Sequence, residues 1–198
     1  MSTLELKQRI KAEGRNLGDG ILKIDSLLNH QLDAGLIMRC GEELARRFKD
    51  AKVTRILTAE VSGIAPALAT AYALGVPLVY ARKVKPITMY GPVYLETAPS
   101  HTKGNDVQLL VAAEFMPGGD RVLIVDDFLA TGKTLRSLVR IVNGSKSELV
   151  GIACVVEKIF EGGRNALSHY NVPIEALVTI TSMDNGEIVF AEERIEAS

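Results

Sequence analysis

The chain has 198 residues, which is enough for one well-packed domain and does not require a second. Its composition is 47% hydrophobic and 24% charged, within the range of ordinary globular domains. The formal net charge of −1 excludes a general electrostatic attraction to nucleic acid or anionic lipid, so an anionic ligand must be bound by local groups.

Helical and strand-like hydrophobic patterns alternate along the chain, and no repeat is present. The predicted elements are a helix at 3–13, an extended segment at 21–25, a helix at 33–49, a strand at 54–59, a helix at 64–74, strands at 77–81, 107–113 and 122–125, a helix at 133–143, a strand at 148–156, a helix at 161–170, and strands at 174–181 and 187–190. This alternation indicates one α/β domain over residues 1–198, with a mainly parallel sheet and helices on both faces.

Neither secretion nor membrane insertion is expected. The N-terminal residues include acids and have no apolar segment of the kind that signal peptides contain, so we expect a cytoplasmic protein. The uncharged stretch 61–81 is long enough for a membrane span, but Pro66, Gly75 and Pro77 interrupt it. It is therefore predicted to form a loop, a helix and a strand.

The segment 83–106 is rich in proline and glycine and long for a connection between two strands. Two interpretations stay open. The segment could be a lid that closes over a reaction, or a β-hairpin arm that packs on a partner subunit. Tyr90 and Tyr94 are compatible with both.

Residues 122–134, Val-Leu-Ile-Val-Asp-Asp-Phe-Leu-Ala-Thr-Gly-Lys-Thr, are the most informative part of the chain. A buried strand leads into two adjacent acids and then into a small loop that opens a helix. At a helix N-terminus the first backbone N–H groups lack intrahelical partners, and the helix dipole favours an anion. We therefore expect a phosphate at residues 130–134. Asp126 and Asp127 would accept hydrogen bonds from sugar hydroxyls or lie near a divalent cation.

Two other interpretations of this motif are weaker. A nucleotide-triphosphate loop needs a glycine five positions before Gly132, where this chain has Asp127. Alternatively, the acids cap a turn and Thr131 caps a helix, but one acid would suffice for that. The whole string instead resembles the phosphoribosyl-pyrophosphate signature of the type I phosphoribosyltransferases, in which the acids bind the ribose and the loop binds the 5′-phosphate.

Two further loops follow predicted strands and should reach the same edge of the sheet, because ligands bind beyond the carboxyl ends of parallel strands. Ser62 and Gly63 open a helix, so their backbone amides could hold a pyrophosphate oxygen, with a plain Ser-Gly turn as the alternative. Arg82 and Lys83 could neutralise a leaving pyrophosphate or be a solvated surface pair. The family resemblance favours the functional interpretation of both loops.

Glu157 and Lys158 end an apolar strand, and the plain alternative is a surface ion pair that contributes little. A lysine ammonium has only donors, so beside a purine it would favour a 6-oxo group over a 6-amino group. Asn29 offers a donor and an acceptor and could serve the purine 2-position, although by itself it is typical of a turn. Residues 21–31 and 155–160, together with the acid motif, resemble the xanthine-using branch of the type I family.

That resemblance runs over nearly the whole chain and implies an enzyme of purine salvage. It would convert xanthine and 5-phospho-α-D-ribose 1-diphosphate to xanthosine 5′-monophosphate and pyrophosphate, with Mg²⁺ bridging the phosphates and the ribose hydroxyls. The resemblance also implies a homodimer, a small hood built from residues 1–30 and the C-terminal part, and a flexible lid loop at about 84–106. The implied site residues are Leu22, Asn29 and Lys158 for xanthine, Asp126 and Asp127 for ribose, Ala130, Thr131, Gly132, Lys133 and Thr134 for the 5′-phosphate, and Ser62, Gly63, Arg82 and Lys83 for pyrophosphate. No direct protein ligand for the metal is assigned.

The chain departs from the family pattern at two places, where Ala-Thr-Gly-Lys-Thr replaces the common Ala-Asn-Gly and Val61 replaces a common serine. Neither change removes a backbone amide. The segment 84–106 matches least well, so no role is carried over to Tyr90, Tyr94, Ser100 or His101.

Two rival functions stay open. Guanine or hypoxanthine could be the base, which would change only the environment of Leu22, Asn29 and Lys158. A regulatory protein of the same fold could bind the diphosphate sugar as a signal, but the charge of −1 and the lack of an added module argue against it.

The cysteines and histidines are scattered, and their spacing forms neither a metal cluster nor a nucleophile–base pair. Cys40 and Cys154 are expected to be buried, reduced thiols. No catalytic role is expected for His30, His101 or His169.

Overall fold

The computed structural model describes residues 3–99 and 106–191, so Ser100 and His101 of the predicted lid lie outside the described residues. The helices are α1 (Thr3–Glu13), α2 (Ala34–Arg47), α3 (Ile64–Leu74), α4 (Lys133–Gly144) and α5 (Gly163–Leu167). The strands are β1 (Arg15–Asn16), β2 (Leu22–Lys23), β3 (Arg55–Ala59), β4 (Leu78–Ala81), β5 (Val93–Pro99), β6 (Asp106–Ala112), β7 (Arg121–Leu129), β8 (Glu148–Lys158), β9 (Ile174–Ser182) and β10 (Val189–Phe190). A wide helical turn, Asp25–Asn29, follows β2.

Six strands form the central sheet in the order β10-β9-β8-β7-β3-β4. Neighbouring strands from β9 to β4 pair in parallel, and β10 pairs antiparallel with β9. The pairs β1–β2 and β5–β6 form two separate antiparallel sheets. The predicted α/β architecture with a mainly parallel sheet is therefore confirmed.

The core lies on both faces of the central strand β7. Leu123 and Val125 pack in the cluster that contains α1, α2 and α3, whereas Val122 and Ile124 pack in the cluster that contains α4 and β6. Successive side chains of a strand point to opposite faces, so burial on both faces requires an unbroken apolar run. The parallel arrangement brings the carboxyl ends of β3, β4, β7 and β8 to one edge of the sheet.

The predicted lid loop at 84–106 is a loop only in part. Strand β5 pairs antiparallel with β6, so residues 93–99 form a strand, as the β-hairpin alternative predicted. The packing of this arm on a partner subunit stays a prediction. The hairpin packs on α4 of its own chain, where Arg140 Nε donates a hydrogen bond to Glu96 Oε2 at 2.6 Å. The strand β5 was not predicted, because the prolines and glycines that flank it are typical of a loop. Closure of this segment over a ligand stays a prediction.

Three other boundaries differ from the predictions. The predicted helix at 161–170 is reduced to α5, because the left-handed Gly162 (φ 77°) delays its start and a 3-10 turn at Ser168–Tyr170 follows Leu167. The predicted strand at 122–125 continues to Leu129, so both acids of the motif lie within β7. The extended segment at 21–25 is shorter, because a helical turn begins at Asp25.

The uncharged stretch 61–81 folds as the predicted loop, helix α3 and strand β4. Within residues 3–99 and 106–191, no helix is both long enough and apolar enough to cross a bilayer.

Replacing Gly41 with alanine should destabilise the fold, because α2 and α3 approach closely at this residue. A Cβ at Gly41 would lie 2.6 Å from the backbone nitrogen of Thr70 and closer still to Ala69. We expect the free energy of unfolding, measured in urea, to fall by about 1–3 kcal/mol. Gly35→Ala in the same helix is the control, because its Cβ would first meet the flexible end of Arg39 at 3.1 Å. An equal loss in both variants would contradict the packing argument.

Candidate active site

Asp126 and Asp127 lie near the carboxyl end of β7, with exposed fractions of 7% and 8%. Oδ1 of Asp126 accepts a hydrogen bond from the backbone N–H of Asp127 at 3.0 Å, and Oδ1 of Asp127 accepts one from the N–H of Phe128 at 2.9 Å. Burial, followed by the neighbouring charge of Asp127, raises the pKa of Asp126 well above its ordinary value. Two adjacent buried carboxyl groups are costly for a simple turn, which favours a ligand-binding role.

The wide helical turn after β2 brings Asn29 to these acids. Nδ2 of Asn29 donates a hydrogen bond to Oδ2 of Asp127 at 3.0 Å, although 98 positions separate the two residues. Leu27 and Leu28 of the same turn are buried in the core and anchor it. The structure therefore places the residue predicted for the base beside the residues predicted for the ribose.

Residues 130–132 connect β7 to α4, and Lys133 and Thr134 are the first two residues of that helix. Gly132 adopts a left-handed conformation (φ 74°) at the N-cap position, and as a glycine it has no side chain that could cap the helix. The N–H of Gly163 donates to the carbonyl oxygen of Ala130 at 2.9 Å. A Cβ at Gly163 would lie 2.9 Å from the nitrogen of Gly132, so the loop is supported by a close backbone approach. Gly163 was not predicted, and the Gly-Gly pair at 162–163 was its only signal.

Ser62 and Gly63 lie at the start of α3, beside the acids. A Cβ at Gly63 would collide with Oδ1 of Asp126 and with Oγ1 of Thr58, so only glycine allows this approach. The hydroxyl of Thr58 is buried and has no hydrogen-bond partner among the described residues. The predicted pyrophosphate loop is therefore brought against the predicted ribose site.

Glu60 links this loop to the predicted basic residues. The backbone N–H of Lys83 donates to Oε1 of Glu60 at 2.6 Å, and Nε of Arg82 lies 3.7 Å from Oε2. Arg82 and Lys83 thus lie next to the loop at 60–63, as predicted from their position after β4. The sequence placed Glu60 at this edge of the sheet, immediately after β3, but no role was predicted for it.

Lys158 ends β8, and its side chain is 13% exposed. Its Nζ donates to the carbonyl oxygen of Gly20 at 2.8 Å and lies 2.5 Å from Oε1 of Glu161. The Phe128 ring centroid is 5.7 Å from the same Nζ. Leu22 lies in β2, two residues beyond Gly20, and is half-buried. The structure therefore connects Lys158 to the hood segment that carries Leu22.

The alternative prediction, in which Glu157 and Lys158 form a surface ion pair, is wrong. Glu157 is 1% exposed, and its carboxylate accepts hydrogen bonds from Nε and Nη2 of Arg164 at 2.7 and 2.6 Å. This ion pair, of which only the carboxylate is fully buried, holds the start of α5 against the end of β8. The sequence pattern did not indicate this pair, because Arg164 lies seven positions beyond Glu157 and a turn separates them.

Cys40 and Cys154 are buried free thiols. Burial raises the pKa of Cys40 to about 12 and that of Cys154 well above its ordinary value, which argues against nucleophilic thiolates. Within the part of the chain that the structure describes, no group of three or more His, Cys, Asp or Glu residues could hold a metal ion.

The family of the phosphoribosyl transferase domain matches residues 23–185, and the chain belongs to this family. The resemblance of the motif at 122–134 is thereby confirmed. A xanthine phosphoribosyltransferase of Deinococcus deserti is 49% identical over 187 residues, which cover 94% of this chain and 97% of that protein. A xanthine phosphoribosyltransferase of Moorella thermoacetica is 44% identical over 191 residues, covering 96% and 97% of the two chains.

Solved structures of adenine phosphoribosyltransferases share the fold. The crystal structure from Thermoanaerobacter pseudethanolicus has a TM-score of 0.72 and 26% identity, covering 87% of this chain and 98% of that chain. The structure from Giardia lamblia, complexed with 9-deazaadenine, has a TM-score of 0.74 and 20% identity, covering 92% and 99%. At such low identity this likeness concerns the architecture and not the choice of base.

Proposed function

We propose that this protein transfers the phosphoribosyl group of 5-phospho-α-D-ribose 1-diphosphate to xanthine, forming xanthosine 5′-monophosphate and pyrophosphate in purine salvage. The observation that carries this proposal is the 49% identity to a xanthine phosphoribosyltransferase over 94% of the chain. The proposal is also supported by the position of Asp126, Asp127 and Lys158 at one edge of the sheet, beside the loops that contain Gly63 and Gly132.

Each part of the sugar substrate has a matching group in the site. The N-terminus of α4, at residues 130–134, suits the 5′-phosphate, because its backbone amides can donate to an anion. Asp126 and Asp127 suit the ribose hydroxyls, because ionised carboxylates only accept hydrogen bonds. Ser62 and Gly63 would bind the pyrophosphate through backbone amides, with Arg82 and Lys83 supplying positive charge.

The reaction needs no covalent protein nucleophile. N9 of the base attacks C1′ while the bond from C1′ to the pyrophosphate oxygen breaks, and the base gives up a proton. Holding both substrates in line can supply a large part of the acceleration, and fixed donors around the pyrophosphate stabilise its developing charge. Lys158 would donate to the 6-oxo group, Asn29 would bind the 2-position, and Leu22 would contact the ring.

Mg²⁺ fits this site as an ion carried by the diphosphate substrate. Magnesium is commonly bound by one or two carboxylates together with substrate phosphates, and Asp126 and Asp127 offer such oxygens. The ion would neutralise charge on the leaving pyrophosphate. Loss of turnover with EDTA, restored by added Mg²⁺, would support this requirement.

We also propose a homodimer in the cytoplasm. Leu68 and Tyr72 on α3 are 58% and 78% exposed, and Val61 in the preceding loop is 74% exposed. Exposed apolar patches of this kind commonly mark subunit interfaces. A monomeric mass by light scattering would contradict the dimer, and secretion of the native protein would contradict the location.

Replacing Lys158 with alanine should lower kcat/KM for xanthine by about 10- to 150-fold, the value of one charge-assisted hydrogen bond. The KM for the diphosphate sugar should change little, because Lys158 lies on the base side of the site. Steady-state kinetics with each substrate varied would measure both. Lys49→Ala is the control, since Lys49 is exposed before β3, at the opposite edge of the sheet. An unchanged kcat/KM for xanthine would exclude the proposed role of Lys158.

The function itself is tested by pyrophosphate release with Mg²⁺ and four bases in parallel: xanthine, guanine, hypoxanthine and adenine. We expect a strong preference for xanthine. Preference for another 6-oxopurine would keep the phosphate site and reject the base pocket. Tight binding of the diphosphate sugar without turnover of any base would favour a regulatory protein.

A further inference from the structure

Lys158 is held by two groups that lie outside the predicted site. Its Nζ donates to the carbonyl oxygen of Gly20 at 2.8 Å and lies 2.5 Å from Oε1 of Glu161. The side chains of the pair are only 13% and 16% exposed. Water screens such a sheltered pair less than it screens a surface pair, so the contact constrains the lysine more strongly.

These contacts determine what Lys158 can offer to a ligand. An ammonium group has three N–H donors and no acceptor, so the two contacts leave one donor for a third partner. Gly20 approaches from the turn between β1 and β2, and Glu161 approaches from the turn after β8. The Phe128 ring, whose centroid lies 5.7 Å from Nζ, is a third neighbour, and together the three restrict the direction of the remaining N–H.

We propose that Glu161 is a positioning residue that aims Lys158 at the purine base. This inference rests on the proposed function, because it requires a base beside Lys158. Without the carboxylate, the end of the lysine side chain would rotate toward water, and its hydrogen bond to the base would weaken. The binding of the diphosphate sugar would not change, because its phosphates are bound at other loops.

A double-mutant cycle on kcat/KM tests whether Glu161 acts through Lys158. The base is the purine that the wild-type enzyme uses best. Glu161→Ala alone should lower kcat/KM for that base by about tenfold, with the KM for the diphosphate sugar within about twofold of wild type. Added to Lys158→Ala, the same change should have almost no further effect, because no ammonium is left to position.

Two further variants separate positioning from folding. Glu161→Gln keeps an acceptor oxygen without the charge, so kcat/KM should stay within about threefold of wild type. Glu42→Ala removes an exposed glutamate on α2 and should leave kcat/KM unchanged. Thermal unfolding of every variant reports the fold. If Glu161→Ala does not fold, the cycle is measured with Glu161→Met in both backgrounds, because methionine keeps most of the side-chain volume and removes the carboxylate.

Two results would overturn the proposal: an unchanged kcat/KM in Glu161→Ala, or an equal loss in the presence and absence of Lys158. Either result leaves the proposed function intact, because the wild-type enzyme still turns over its base. Failure of the wild-type enzyme with every base would instead reject the proposed function, and this inference with it.

Discussion

Gly163→Ala should lower kcat/KM for the diphosphate sugar by about 100-fold or more, because displacing a binding loop by about 1 Å can have an effect of this size. A Cβ at Gly163 would lie 2.7 Å from Cδ1 of Leu129 and 2.9 Å from the nitrogen of Gly132, and closer still to the carbonyl oxygen of Ala130. Two of these obstacles are backbone atoms of the loop that would hold the 5′-phosphate. The loop must therefore move, and the hydrogen bond from the N–H of Gly163 to the carbonyl oxygen of Ala130 must lengthen.

The measurement combines steady-state kinetics with calorimetric binding of the diphosphate sugar. Overpacking should also lower the free energy of unfolding by about 1–3 kcal/mol, so thermal unfolding identifies the temperature at which the variant is still folded. Gly144→Ala is the matched control in α4, because the nearest atom to its Cβ would be Cδ1 of Tyr94 at an ordinary 3.7 Å. Wild-type binding by a folded Gly163→Ala variant would reject the proposed phosphate loop.

Asp126→Asn should stabilise the fold while lowering kcat/KM by about 100-fold or more, since it removes a charged acceptor from the proposed ribose site. Burial and the neighbouring Asp127 raise the pKa of Asp126 well above its ordinary value, so ionisation of this carboxyl opposes folding. Asparagine has nearly the same shape, and its oxygen can still accept the hydrogen bond from the N–H of Asp127. A folded variant with full activity would exclude Asp126 from the site.

The stability gain should depend on pH with a defined sign. Because the pKa of Asp126 is raised in the folded protein, the folded state keeps a proton that the unfolded chain loses above the ordinary value of 3.8. The stability that Asp126 contributes is therefore complete in acid and falls as pH rises through the raised pKa. The amide introduced by Asp126→Asn does not titrate, so the advantage of this variant in Tm should be near zero in acid and largest at neutral pH.

Asp120→Asn is the control with the opposite sign. Burial acts to raise the pKa of Asp120, but hydrogen bonds from Arg55 and Thr54 outweigh it, and the pKa is lowered. The charge of Asp120 thus stabilises the fold, and its removal should lower Tm near neutral pH. If both Asp→Asn variants shift Tm in the same direction at neutral pH, the argument from the pKa of Asp126 is wrong.

The pattern of neighbouring residues along the chain was enough to predict the central sheet and to propose the phosphate loop. The apolar run of β7, the acids and the loop before α4 are contiguous, so one segment contains the strand, the carboxylates and the helix N-terminus. The parallel arrangement then requires the ends of β3, β4 and β8 to lie nearby. For this reason Ser62, Gly63, Arg82 and Lys83 were predicted together with Asp126 and Asp127.

The sequence pattern was insufficient where a boundary depends on one residue conformation or on packing. The left-handed Gly162 delays the start of the helix predicted at 161–170, and β5 forms because β6 pairs with it and α4 supports it. Neither effect changes the local hydrophobic period, which is the quantity that sequence patterns report.

The sequence by itself therefore determined the class of fold, the proposed phosphate loop and the position of the paired acids, because each depends on neighbours in the chain. Only the tertiary structure decided which distant residues support them. Asn29 donates a hydrogen bond to Asp127, and the N–H of Gly163 donates one to Ala130. Lys158 donates a hydrogen bond to Gly20 and forms an ion pair with Glu161. Most of these contacts join segments far apart in the chain, and all depend on the direction in which side chains and carbonyl groups point after folding. Spacing alone contains no information about that direction.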